Sequence, residues 1–153
     1  MGSVQAAEAF ARPTRVLLVD DDPRLARVVS TYLQLEGYHV GVAADGLAGI
    51  ELLASEPFDI AFLDVMMPGM DGIEACRRLR SNPATAEIPV VIFTALSSDR
   101  DCERARLAGA SHLVTKPFGL SGLRNIVESL TQRRGEALPA TARLVPGGLA
   151  TSR

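Results

Sequence analysis

The sequence predicts an α/β fold: a doubly wound, five-stranded parallel sheet with helices on both faces. Three observations predict it. Five short apolar runs alternate with helical stripes along the chain. Most of those runs are continuous rather than alternating, as in strands buried on both faces. Each run stops at polar or turn-forming residues before the next helix begins. Regular strand–helix alternation implies right-handed parallel crossovers.

The elements follow in order. Val16–Val19 is a continuous run of β-branched residues and leucine, the first strand. Pro23 fits a first helical position with Asp22 as N-cap. Leu25, Val28, Val29, Tyr32 and Leu35 make the helical stripe, and Gly37 closes the helix. "HVGVAA" (39–44) alternates as a second strand, and Asp45-Gly46 breaks it. Leu47, Ile50 and Leu53 or Ala54 mark the second helix, which Pro57 ends. "IAFLD" (60–64) is the third strand. "VMMPGMDG" is a loop rich in breakers. Ile73, Cys76 and Leu79 lie three apart on a third helix. "PVVIFTA" (89–95) is the fourth and most hydrophobic strand. "SSDRDCERARLAGA" is a polar helix closed by Gly109, and "HLVT" (112–115) is a short fifth strand. Lys116-Pro117-Phe118 makes a turn. Leu123, Ile126, Val127 and Leu130 mark the last helix.

Residues 1–14 read as a flexible tail, 15–134 as one domain, and 135–153 as a disordered tail or linker stub. The chain has 153 residues, which suits one domain with modest tails. Apolar content of 47% and charged content of 22% fit a globular protein with a real core. A net charge of −2 gives no global attraction to nucleic acid or anionic membrane. No apolar stretch approaches the roughly 20 residues of a membrane span. The N-terminus lacks the apolar segment of a secretory signal, and a reducing cytoplasm is the default. Cys76 and Cys102 are too isolated for a disulfide framework or zinc site. Cys76 reads as core. His39 and His112 start strands, away from the strand ends that matter below.

In an open parallel sheet, ligands bind beyond the carboxyl ends of the strands. Strand one ends at Asp20-Asp21, strand three at Asp64, strand four at Thr94-Ala95, strand five at Lys116. If those strands are neighbours, one edge collects three carboxylates, a hydroxyl and a lysine. Clustered carboxylates suit a hard divalent cation such as Mg²⁺. Such a cluster also suits phosphate chemistry, because a metal neutralises charge on transferring oxygens. Asp64 is the natural nucleophile, Thr94 a hydrogen-bond donor, Lys116 a point charge for phosphate. Of the sixteen Lys and Arg residues, Lys116 is the one lysine. That is either a composition accident or a need for a compact ammonium that guanidinium cannot imitate. Any single strand-end Asp is weak evidence, and Asp71-Gly72 on its own reads as a turn and helix start. The coincidence across four strand ends carries the reading.

These residues resemble the receiver domain of bacterial two-component response regulators. "VLLVDDDP" is similar to that family's first strand and acidic pair. "FDIAFLDVMMPGMDG" is similar to its phosphoacceptor segment, and "VVIFTA" and "GASHLVTKPF" to its later Thr/Ser and Lys-Pro motifs. The resemblance spans roughly residues 14–134, with four motifs in order. It implies the flavodoxin-like strand order 2-1-3-4-5. It implies that Asp64 is the phosphoacceptor, that Asp21 binds Mg²⁺ directly and that Asp20 acts through water. Met66 would give a backbone carbonyl to the metal. Thr94 would be the switch hydroxyl, Lys116 would contact phosphoryl oxygens, and the bond before Pro117 would be cis. A histidine kinase or phosphotransfer protein would supply the phosphoryl group, and a downstream effector protein would read the changed surface. The domain would phosphorylate and dephosphorylate itself but turn over no external substrate. It would bind neither nucleic acid nor membrane, and a homodimer stays open. One position departs: Leu113 stands three residues before Lys116, where the family often carries Tyr or Phe.

Other readings are weaker. A phosphohydrolase using an aspartyl phosphate would want a second Asp two residues after the nucleophile, where Met66 stands. A nucleotide-binding protein of this fold would want glycines after strand one, and "DDDPRLA" has none. The alternative kept is a phosphorylation-independent interaction module of the same fold.

Overall fold

The structure, a computed structural model, describes residues 12–95, 98–115 and 119–132. The strands are β1 (Arg15–Val19), β2 (His39–Ala43), β3 (Ile60–Asp64), β4 (Val90–Thr94) and β5 (His112–Thr115). The helices are α1 (Pro23–Leu35), α2 (Gly46–Ser55), α3 (Gly72–Arg80), α4 (Asp99–Ala108) and α5 (Leu120–Gln132). All strand pairs are parallel, in the order β2-β1-β3-β4-β5. No described helix is long and apolar enough to cross a membrane.

Strand periodicity sorts the core into two layers. Val16, Leu18, Ile60, Phe62, Val91, Phe93 and Val114 face one side and pack on α1 and α5. Leu17, Val19, Ala61, Leu63, Val90, Ile92 and Leu113 face the other and pack on α2, α3 and α4. Every residue of β3 and β4 is buried, which explains their unbroken apolar runs. Leu113 is fully buried and paired in register with Ile92.

Two helical stripes sit differently from expectation. In α1 the inward residues are Ala26, Val29 and Leu33, while Val28 and Leu35 are exposed. Leu25 and Tyr32 pack only at the edge of that layer. In α2 the inward residues are Gly46, Gly49 and Leu53, and Leu47 is exposed. The reason is close approach. A Cβ on Gly49 would lie 2.7 Å from Val19 Cγ2, so the glycine face is the face that meets β1. Val42 is exposed on the edge strand β2.

Helix ends follow their capping residues. Asp22, Asp45, Asp71 and Ser98 each accept backbone N–H bonds at the start of α1 to α4. Gly37 (φ +99) closes α1 through a Tyr38 N–H to Leu33 O bond of 3.1 Å, the crossed pattern of a left-handed C-cap. Arg12 and Thr14, placed by sequence in the N-terminal tail, are engaged. Arg12 pairs with Asp59 at 3.2 Å, and Thr14 O accepts the His39 N–H at 2.9 Å.

Candidate functional site

The strand register carries the site. Asp64 ends β3 opposite Phe93, and Thr94 ends β4 opposite Thr115. β1 stops one residue earlier, yet Asp20 N–H still donates to Ala43 O at 3.1 Å, so its backbone continues the strand. The β1 and β3 ends therefore stand side by side at the centre of the sheet.

Asp20, Asp21 and Asp64 each present a carboxylate oxygen within 4.8 Å of the other two. Asp20 and Asp64 are buried, at 2% and 3% exposure, and Asp21 is exposed at the rim. Asp20 Oδ1 accepts the Asp22 N–H at 2.9 Å, and Asp64 Oδ1 accepts the Met66 N–H at 3.3 Å. These bonds fix two carboxylates from the chain that immediately follows each. Before any counter-charge is counted, two carboxylates at such separation repel by about 3–4 kcal/mol at an effective dielectric of 20. Three hard oxygen donors at this spacing fit a divalent cation that prefers oxygen, and such an ion offsets the repulsion. The arrangement can hold a metal and present an oxygen nucleophile beside it.

Asp22 is not one of the three clustered carboxylates. Its Oδ1 accepts from Arg24 N–H (3.0 Å) and Leu25 N–H (3.4 Å), capping α1 as the sequence predicts. Thr94 is buried beside Asp64's strand, at 1% exposure. The Met66 side chain is exposed, and its backbone lies next to Asp64. Lys116 and its bond to Pro117 lie outside the described residues.

Sequence reasoning missed Gly72 as a site-shaping residue. A Cβ there would stand 2.3 Å from the Asp64 carbonyl oxygen, so α3 begins directly on the Asp64 backbone. The Asp-Gly pair was visible, but it reads as a plain helix start until the two backbones are seen to meet. The Asp71 half of that reading holds: its Oδ1 caps α3 through Glu74 N–H at 2.8 Å.

Comparison with known proteins agrees with this geometry. The response regulator receiver domain family matches residues 16–128. The DNA-binding dual master transcriptional regulator RpaA of Synechocystis is 38% identical over 129 residues, 84% of this chain and 53% of that protein. Response regulator PleD of Caulobacter vibrioides is 42% identical over 118 residues, 77% of this chain and 26% of that protein. The chain thus spans about half or less of these curated relatives. Among solved structures, Vibrio cholerae chemotaxis protein CheY4 superposes with a TM-score of 0.74 at 30% identity, covering 77% of this chain and 98% of its own. The receiver domain of a sensor histidine kinase from Pseudomonas aeruginosa PAO1 superposes at 0.73 with 28% identity, covering 78% and 98%. That structure holds a magnesium ion coordinated in its active-site cleft.

Proposed function

This chain belongs to the response regulator receiver domain family, and from that premise we propose that it accepts a phosphoryl group on Asp64. The donor is the phosphohistidine of a histidine kinase or phosphotransfer protein, in the cytoplasm. An Asp64 carboxylate oxygen forms the new P–O bond as the donor's P–N bond breaks, and the electron pair returns to the imidazole nitrogen. Asp20, Asp21, Asp64 and the Met66 carbonyl would hold Mg²⁺, which neutralises charge on the phosphoryl oxygens when bound. Thr94 donates its hydroxyl to one phosphoryl oxygen, and Lys116 sets a positive charge against another. The family is not one of external-substrate enzymes. The domain assists its own phosphorylation and slow hydrolysis, and an effector protein reads the change.

The observation that carries this reading is the meeting of three carboxylates from two strand ends within 4.8 Å. Acetyl phosphate with Mg²⁺ tests it. The wild type should form a base-labile adduct that Asp64→Asn and Asp64→Ala both abolish while the far-ultraviolet spectrum stays native. An adduct that survives in the folded Asp64→Asn protein moves the nucleophile elsewhere.

A further inference from the structure

We propose that β2 is an association edge: it pairs antiparallel with the β2 of a second copy of this chain, about a two-fold axis at Gly41. This goes beyond the phosphoacceptor reading of Asp64 and does not depend on it.

The edge is open and its directions are fixed. β2 is an outer strand of the sheet, and among the described residues no strand lies beyond it. A sheet edge presents a row of N–H and C=O groups that can template another strand. In β2 two bonds set which groups face outward. His39 N–H donates to Thr14 O at 2.9 Å, and Ala43 O accepts the Asp20 N–H at 3.1 Å. Both lie on the side that meets β1. Backbone groups alternate along a strand, so His39, Gly41 and Ala43 point inward while Val40 and Val42 point outward. Proteins commonly blunt such an edge with lysine, proline or a bulge. Residues 37–44, GYHVGVAA, contain no Asp, Glu, Lys, Arg or Pro. The register with β1 runs without a break from Arg15 and His39 to Val19 and Ala43, so there is no bulge. Val42 is 46% exposed and Val40 is half-buried. The other edge strand differs: in β5, His112, Leu113 and Val114 are all buried.

The sequence of this edge is symmetric about Gly41, and that makes a second copy its natural occupant. With Gly41 opposite the partner's Gly41, Val40 faces the partner's Val42, and Val42 faces the partner's Val40. Each facing pair exchanges N–H···O bonds in both directions, as the bonded pairs of an antiparallel ladder do. The glycine pair is then of the non-bonded kind, where Cα atoms come closest, at about 4.5 Å. Gly41 brings no Cβ to that approach, and the Phe58 ring, 2.9 Å from where one would stand, fills the space instead. Val40 and Val42 are in register with Val16 and Leu18, so their side chains lie on the α1 face. Pairing therefore sets two β-branched contacts across the axis. With no charged residue on the strand, self-pairing opposes no like charges. An interface of this extent falls in the weak class, below roughly 1,200 Å², with a dissociation constant on the order of 100 µM. Antiparallel pairing turns the carboxyl ends of the two sheets to opposite ends of the dimer, so neither acidic cluster is covered.

The full chain at about 20 µM and about 1 mM tests this, read by amide exchange and by sedimentation equilibrium. At such a constant the monomer falls from roughly three-quarters to roughly one-fifth of the protein, so exchange at Val40 and Val42 should slow about fourfold. Gly41 and Ala43, already bonded to β1, should change less than about twofold. Equal slowing at all four positions, or none, overturns the pairing. Val42→Pro removes an outward N–H and no ladder bond, a change that only an edge position tolerates. It should weaken dimerisation about tenfold or more. Val42→Thr keeps the N–H and the branched side chain, and should stay within about threefold of wild type. Dimerisation of Val42→Pro at wild-type strength overturns the proposal, because the copies then meet elsewhere. Equal weakening by Val42→Thr overturns it too, because side chains rather than the strand edge then carry the contact. Should Val42→Pro lose its native far-ultraviolet spectrum, the alternating exchange pattern of the wild type decides alone.

Discussion

Gly72→Ala adds one methyl group at the point where α3 meets the phosphoacceptor strand. The built Cβ stands 2.3 Å from Asp64 O, 2.8 Å from Asp64 C and 3.2 Å from Val65 Cα. All three are backbone atoms, so no side chain can swing aside. The shortest contact falls about 1 Å short of ordinary van der Waals distance, well inside the repulsive wall. Either α3 retreats from β3 or the Asp64 peptide turns. Overpacking of this kind costs about 1–3 kcal/mol. Alanine's better helix propensity returns at most about 1 kcal/mol. Urea unfolding should therefore show a net loss of up to about 2 kcal/mol. The site should suffer more than the fold, since a misplacement of about 1 Å can cost around a hundredfold in rate. Acetyl phosphate labelling at Asp64 should slow accordingly. Gly122→Ala is the matched control: it lies in α5 with nothing within 4 Å of the added Cβ. That change should stabilise the protein by some tenths of a kcal/mol up to about 1. A Gly72→Ala protein as stable as wild type, with unchanged labelling, would refute the argument from close approach.

The other predictions concern the acidic stretch and the core thiol. Asp22→Ala should cost about 1 kcal/mol in unfolding experiments by uncapping α1, yet leave Mg²⁺ affinity within about twofold; Asp21→Ala should do the reverse, weakening Mg²⁺ by about tenfold or more. A Mg²⁺ titration in which the two variants behave alike would remove the division of roles. Burial pushes the Cys76 thiol up to about 11. Its folded pKa is raised, so the unfolded chain loses that proton first, and stability is full below pH 9 and falls as pH rises from about 9 toward 11. The loss attributable to Cys76 approaches about 2–3 kcal/mol at the top of that window. It is read as the difference in unfolding free energy between wild type and Cys76→Ala, and a pH-independent difference would contradict it.

Much of this was legible because the informative residues break a pattern. The five strands could be read from short apolar runs, and four strand ends from the polar residues that stop them. Asp22, Asp45 and Gly37 cap helices as their types require. What the sequence hid lies in small residues and long-range partners. In α1 the buried stripe runs through the small Ala26, with Val29 and Leu33, while Leu25 is only half-buried at its edge. The stripe in α2 turned because Gly49 lets the helix settle on Val19. Periodicity weighs residues by hydrophobicity, whereas helix–sheet contact selects by size at the nearest point. Arg80, which donates to Gly109 O, and Arg104, which pairs with Asp71, were invisible for another reason. Nothing local separates them from the chain's other arginines, and their partners lie about thirty residues away.

The run "DDDP" shows how a local conflict is resolved by direction. A strand residue, a turn residue and a cap residue follow one another, and each backbone state aims its carboxylate elsewhere. Asp20 is held in the ladder by Ala43 O and turns inward toward Asp64. Asp21, one residue on, remains at the exposed rim of the same cluster. Asp22 faces the N-terminus of α1, where unpaired N–H groups and the helix dipole favour a negative charge by about 0.3–1 kcal/mol. Its own N–H meanwhile binds Asp20 Oδ1 at 2.9 Å, so the cap residue also steadies the buried carboxylate. Neighbouring charges that would repel along an extended chain are sent to a helix end, to solvent and to the buried cluster beside Asp64. Losing the cap would therefore reach the site through the Asp22 backbone rather than through its charge. Asp22→Pro, which removes that N–H as well as the carboxylate, should weaken Mg²⁺ where Asp22→Ala does not.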